Sequence, residues 1–243
     1  MFHVKHDIDG IKDSLLSIGI DISDAQSQQF LQYYEMLIEK NKVMNLTAIT
    51  EFDDVVMKHF IDSLIITKYL DFNNVRSMID IGTGAGFPGI PLKIVFPDVK
   101  VTLMDSLNKR IDFLNEVIER LKLNNISAVH ERAETLGHNE KFREKYDLCV
   151  SRAVANLSVL SEYTIPFVKA GGYFAAYKGS DIDKEVDESK KAISILGGTL
   201  ENIYSYKLPD NISSRSIILI KKTKPTGKKY PRKPGTPKKE PLQ

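Results

Sequence analysis

Up to Val75 the apolar positions recur at helical spacing: Phe30, Tyr34, Leu37 and Ile38 form one stripe, and Ser23 with Gln26 makes a capping box ahead of it. From Val75 the rhythm changes. Short β-branched runs near 76–81, 99–105, 126–130, 146–151, 172–178, 199–207 and 215–222 read as strands, with the glycine pairs Gly171–Gly172 and Gly197–Gly198 punctuating the entries to later ones. Ile111, Leu114, Ile118 and Leu121 mark a helix packed on the sheet between the second and third runs. Strands alternating with helices predict an α/β fold with a mostly parallel, doubly wound sheet. The last two runs are joined only by "LPDNISS", too short for a crossover helix, so they are expected to pair antiparallel. The expected organisation is a helical N-terminal extension over 1–72 packed on the core, an α/β core over 73–223 and a basic tail over 224–243.

Composition adds bounds. The chain has 243 residues and 42% apolar content, enough to bury a full core. Cys149 is the single cysteine, so no intramolecular disulfide forms; its strand context reads as a buried structural thiol, and the usage suits a reducing cytosol. No apolar run reaches the roughly 18 residues a membrane span needs, and Asp7, Asp9 and Lys12 interrupt any signal-peptide core. The expectation is a cytoplasmic protein without membrane association. The net charge of +2 hides an asymmetry, because 221–243 carries nine Lys/Arg against Glu240, a net +8 that leaves −6 elsewhere. This proline-rich, apolar-poor end is expected to be a disordered arm, either solubilising or binding polyanions.

The candidate chemistry sits in "SMIDIGTGAGFPGIPLKIVFP", Ser77–Pro97, where Gly82, Gly84, Gly86 and Gly89 follow a strand and precede a helix. Exposed amides in that context receive a polar ligand. The Lys-Ser/Thr ending of a triphosphate loop is missing, and Lys93 falls too late. Gly84-Ala-Gly86-Phe-Pro-Gly89 does spell the dinucleotide fingerprint G-x-G-x-x-G, with Asp105 near the usual ribose distance. Asp80, just before the first glycine, argues against it: a carboxylate there repels a pyrophosphate and suits an ammonium group, directly or through water. A cofactor with an amino-acid end and no phosphate is S-adenosylmethionine. On that reading Asp105 accepts from the ribose hydroxyls and Glu134, in "RAET", lies beside the adenine.

These residues resemble one family, the bacterial small-subunit ribosomal RNA guanine-N7 methyltransferases, also called glucose-inhibited division protein B. The resemblance runs through "NKVMNLTAIT", "KHFIDSL", "DIGTGAGFPGIPLKI", "DSLNKRIDFL", "RAET", "SRAVANL" and the final "LPD…SRSIILIKK", over about 25–222. It implies a class I methyltransferase fold, S-adenosylmethionine as donor, and a guanine of 16S rRNA near the decoding region as acceptor. It also implies that Gly82, Phe87, Ala133, Glu134 and Arg152 contact the cofactor. The implied partner is 16S rRNA or a small-subunit particle; separately, the sequence shows no sign of an obligatory protein partner, and a monomer is expected.

The chemistry permits this. Guanine N7 carries a lone pair and no proton, so no general base is required and no catalytic residue is assigned. The amino-methylation turn Asn/Asp-Pro-Pro-aromatic is replaced by Ser151-Arg152-Ala153-Val154, and Cys149 lies too deep for a carbon-5 mechanism. Ribose 2′-O methylation is the nearest competitor, with Lys178 as its lysine; a non-catalytic RNA-binding assembly factor is the rival outside enzymes. Lys58, His59, Arg152 and Lys178 are the candidate RNA contacts. His59 and Asp62 share a helical face, and no metal is expected there.

Overall fold

A computed structural model describes residues 2–152, 155–209 and 214–242. Ala153 and Val154 of "SRAVANL", and Asp210–Ser213 of the last block, lie outside the described residues. Seven strands, β1 (Ser77–Ile81), β2 (Lys100–Asp105), β3 (Ile126–His130), β4 (Tyr146–Arg152), β5 (Val168–Lys178), β6 (Gly198–Lys207) and β7 (Ser214–Lys222), form one sheet in the order β3-β2-β1-β4-β5-β7-β6. The first five pair in parallel, while β7 runs antiparallel to both β5 and β6. Parallel central strands are covered on both faces, and β1 and β4 accordingly bury nearly every residue. Strand order reverses between β1 and β4. Open α/β sheets bind ligands at the carboxyl ends of the strands beside such a switch point.

The N-terminal helices cover one face. Helix Asp24–Met44 opens on the expected capping box, in which Ser23 accepts from the Gln26 amide and the Gln26 side chain accepts in return. Its buried stripe centres on Phe30, Tyr33 and Leu37, while Tyr34 and Ile38 are only half-buried. The Tyr33 hydroxyl donates to the Ala85 carbonyl at 2.7 Å, so this helix braces the glycine loop directly. "VMKHFI", Val56–Ile61, forms a π-helical turn within a run of short helical segments. Phe60 from that turn packs between Phe30, Tyr33 and Phe87, with ring centroids 4.9, 5.8 and 6.3 Å away.

The expectation of a disordered end is corrected over Lys224–Leu242, which lies packed as a strap. Buried Lys222 at the close of β7 pairs with Glu144, and Arg143 donates to the carbonyls of Thr226 and Tyr230. His138 donates to the Pro231 carbonyl at 2.6 Å, Arg232 pairs with the fully buried Glu162, and the Leu242 carbonyl accepts from Ser158. The buried apolar residues of the strap are few, Tyr230, Pro231 and Pro237, with Leu242 partly buried. Charged groups of the core, which composition cannot reveal, offset its ordering entropy, and its prolines reduce the entropy to be lost.

Candidate functional site

Beyond the carboxyl ends of β1, β2, β3 and β4 lies a cavity of about 450 Å³. The glycine loop forms its floor. Gly82, Gly84 and Gly86 have φ of 69°, 62° and 108°, values a side chain would strain. The Gly82 and Thr83 amides both donate to the Met104 carbonyl, which ties the loop to β2. Gly82, Gly84 and Phe87 line the cavity; Gly86 does not, and a Cβ there would crowd Ile90 and the Tyr33 hydroxyl.

Asp80 is also absent from the lining. It is fully buried beneath the loop, where Oδ2 accepts from the Thr83 hydroxyl at 2.7 Å and the Gly89 amide at 2.9 Å. A Cβ on Gly89 would fall on Leu103 and within 2.8 Å of Asp80 Oδ2, so glycine is needed for this close approach. Burial pushes the Asp80 carboxyl up to about 7, against the pull of those two hydrogen bonds. Its other oxygen, Oδ1, is buried without a partner among the described residues.

Asp105, at the end of β2, lines the cavity while 2% exposed. Its Oδ2 accepts from the Gly84 amide and Arg110, and its Oδ1 from the Leu107 amide. Past β3, Ala133 and Glu134 form the next part of the wall, with Tyr163 beside them. Glu134 Oε1 accepts from the Gly235 amide of the strap at 2.9 Å, and Oε2 lies 3.8 Å from Arg132.

The opposite wall is aromatic and cationic. His59 stacks on Phe87 with ring centroids 4.5 Å apart, and the Arg152 guanidinium carbon lies 5.0 Å from the same ring centroid. Arg152 donates to Asp62 Oδ2 at 2.9 Å, to the Lys58 carbonyl at 3.3 Å and to His59 Nδ1 at 3.2 Å. Because a guanidinium only donates, Nδ1 must accept, and the imidazole proton sits on Nε2, which faces Thr47 Oγ1 at 2.8 Å. Burial, and then Arg152, hold His59 down to about 3, so the ring is neutral at physiological pH. Tyr206 from β6 donates to Asp62 Oδ1 at 3.0 Å and completes the support.

Of the other residues singled out from sequence, Lys58 pairs with Asp54 at 2.7 Å and does not line the cavity. Lys178 is engaged by Glu185 and the Ala155 carbonyl, at 2.6 and 2.5 Å, and is likewise off the cavity. Cys149 is fully buried, and burial pushes its thiol up. Thr47, Arg110 and Tyr163 line the cavity without having been singled out. "NKVMNLTAIT" already contained Thr47, whereas Tyr163 carried no local signal.

Comparison with known proteins gives this cavity its context. The chain superposes on the crystal structure of M. jannaschii TYW2 in complex with AdoMet with a TM-score of 0.50 at 16% identity, covering 65% of this chain and 74% of that one, a likeness of fold. The sheet order and its antiparallel last strand are those of class I methyltransferases. Sequence relatives reach much further. The Ribosomal RNA small subunit methyltransferase G of Desulforamulus reducens is 53% identical over 96% of this chain and 97% of its own length. Its Bacillus subtilis namesake is 51% identical over 97% and 99%. The family model GidB, rRNA small subunit methyltransferase G, matches residues 26–217. A match of that extent, shared end to end with relatives more than half identical, makes the chain a member of the GidB family of rRNA methyltransferases.

Proposed function

We propose that the cavity binds S-adenosylmethionine and that the chain transfers its methyl group to N7 of a guanine in 16S rRNA, acting as a cytoplasmic monomer on the RNA or a small-subunit particle. The observation that carries this reading is the meeting, in one cavity of an rRNA methyltransferase family member, of the Gly82–Phe87 loop, the Asp105 carboxylate and the Arg152 fork. The residues present suit that cofactor. Asp80 Oδ1, orphaned and buried beneath the glycine loop rather than lining the cavity, is an acceptor that would meet an ammonium group through water. Asp105 offers carboxylate oxygens to ribose hydroxyls, and Ala133 and Glu134 offer an apolar contact and an acceptor beside an adenine.

S-adenosylmethionine supplies an electrophilic methyl on a sulfonium. The task left to the chain is to align a base with it and exclude water. N7 brings its own lone pair, so no residue need take a proton, and the neutral His59 fits a site that fixes geometry rather than moves protons. Arg152 spends three of its five N–H groups on Asp62, Lys58 and His59. Nε–H and one terminal N–H remain for the guanine O6 or a phosphate, leaving N7 free to react. The engagement of Lys178 by Glu185 removes the lysine on which the 2′-O reading depended. The deciding experiment incubates unmodified 16S rRNA with labelled donor. Stoichiometric incorporation and chain cleavage at one guanine after borohydride and aniline are expected, because N7-methylguanine is a fragile cation. Cleavage resistance with one alkali-stable linkage would favour the ribose instead, and no incorporation would favour a binding factor.

A pH dependence follows from Asp80. Its folded-state carboxyl, raised to about 7, is half-protonated near neutrality, and an ammonium group prefers the carboxylate. Binding therefore releases a proton. S-adenosylmethionine affinity is expected to rise with pH through about 7, and calorimetry in buffers of different ionisation enthalpy should detect the proton. Asp80→Asn should abolish the rise. A flat affinity profile in the wild-type protein would remove Asp80 from the ammonium site.

A further inference from the structure

Outside the strap some lysines pair with acids, Lys40 with Glu116, Lys58 with Asp54, Lys178 with Glu185 and Lys190 with Asp187, while Lys42, Lys68, Lys100, Lys141 and Lys191 are exposed and in no ion pair among the described residues. The strap differs in density, with five lysines inside positions 228–239. Lys228, Lys229, Lys233, Lys238 and Lys239 are all exposed, and none takes part in an ion pair or side-chain hydrogen bond among the described residues. Lys229 alone makes a cation–π contact, 5.2 Å from the Tyr230 ring centroid. Glu240 is the single acid of the segment. The cation that does pair there, Arg232, is spent on Glu162 as an anchor.

The strap is held, and it is held against the cavity. Gly235, between Lys233 and Lys238, donates its amide to the cavity residue Glu134, and Arg232 grips Glu162, the neighbour of the cavity residue Tyr163. Like charges fixed on a short ordered segment repel one another, a cost relieved by a polyanion laid along it. A surface that is cationic, ordered and continuous with the rim suits the substrate's own backbone. Phosphate contacts of this kind set position and register while base identity is read elsewhere.

We propose that the outer face of the strap, carrying these five lysines, is the docking surface for the phosphodiester backbone of the RNA whose base enters the cavity. This rests on the RNA-methyltransferase reading above. The ligand is single-stranded or splayed-out RNA flanking the target, since the A-form major groove hides N7. An anionic membrane is the competing polyanion.

The experiment uses the full chain and its K228Q/K229Q/K233Q/K238Q/K239Q variant, with K68Q/K100Q/K184Q/K190Q/K191Q, five exposed lysines elsewhere, as a charge-matched control. Binding to unmodified 16S rRNA is followed by anisotropy across a potassium chloride series. The five-lysine variant is expected to bind about tenfold or more weakly near physiological salt. Its salt slope should flatten by about 3.5–4.5, at roughly 0.7–0.9 for each of the five lysines. Thermal midpoint and S-adenosylmethionine affinity should match wild type, and the control should keep its affinity and slope. Equal affinities and slopes for wild type and the five-lysine variant, while the wild type still methylates the RNA, would overturn the docking surface and leave the functional reading standing. So would a loss equal to that of the control, or loss of binding confined to phosphatidylserine vesicles. Absence of methyl transfer by the wild-type protein would overturn the reading itself, and the proposal with it.

Discussion

Arg152→Ala is expected to lower kcat/KM for rRNA methylation by about 10²–10³, the usual loss when one preorganised donor is removed from a reacting site. The guanidinium does three things at once, and each has a geometric signature. It neutralises Asp62, which is 4% exposed; it gives His59 Nδ1 its hydrogen bond; and it lies over the Phe87 ring. Removing it leaves Asp62 with the Tyr206 hydroxyl as its remaining side-chain donor among the described residues. Breaking a buried ion pair in this way costs about 3–5 kcal/mol, toward the lower end here because the Arg152 side chain is 15% exposed. The stability and catalytic losses are separable. Adding Asp62→Asn to Arg152→Ala removes the stranded charge, so the double variant should regain much of the stability and none of the activity. Arg152→Lys keeps a charge but not the fork, and should recover stability better than turnover. Urea melts and single-turnover methylation of unmodified rRNA measure both. A folded Arg152→Ala protein with wild-type kcat/KM would take Arg152 out of the acceptor site.

What local pattern encodes was legible, and what distant segments supply was not. The central strands are doubly buried, so their β-branched runs stood out, and the short "LPDNISS" link set the antiparallel end. The glycine loop was legible because its positive φ values demand glycine. Asp80 and Asp105 looked equivalent in sequence, each closing or nearly closing a strand. The structure separates them: Asp105 lines the cavity, whereas Asp80 is turned under the loop by Thr83 and Gly89. No spacing rule marks the π-helical turn that carries His59, or the reach of Tyr206 from β6 to Asp62. Thr47, His59, Phe87 and Arg152 converge only through the fold, and their roles as neighbours cannot be read from any one stretch.

The strap is the sharpest case, and it yields the second large effect: Arg232→Ala should destabilise the whole protein, not merely free its end. Glu162 is fully buried in helix Leu157–Thr164. Its Oε1 accepts from the Arg232 amide at 2.7 Å and from Nε at 3.0 Å, and its Oε2 accepts from a terminal nitrogen at 2.7 Å. The hydrogen bonds to Glu162 in turn hold the Arg232 guanidinium above its usual range. Truncating Arg232 strands a buried carboxylate with one backbone donor. The expected cost is about 3 kcal/mol, the low end for a broken buried pair because Arg232 is 24% exposed. For a chain of this size that corresponds to a fall of roughly 6–12 °C in thermal midpoint. Glu162→Gln combined with Arg232→Ala should recover part of the loss, since a neutral amide is cheaper to leave half-paired. Deleting everything after Thr223 should cost more than either variant, as it also removes Thr226 from Glu144 and Lys222, and Gly235 from Glu134. An unchanged urea midpoint for that truncation would return the segment to a dispensable tail.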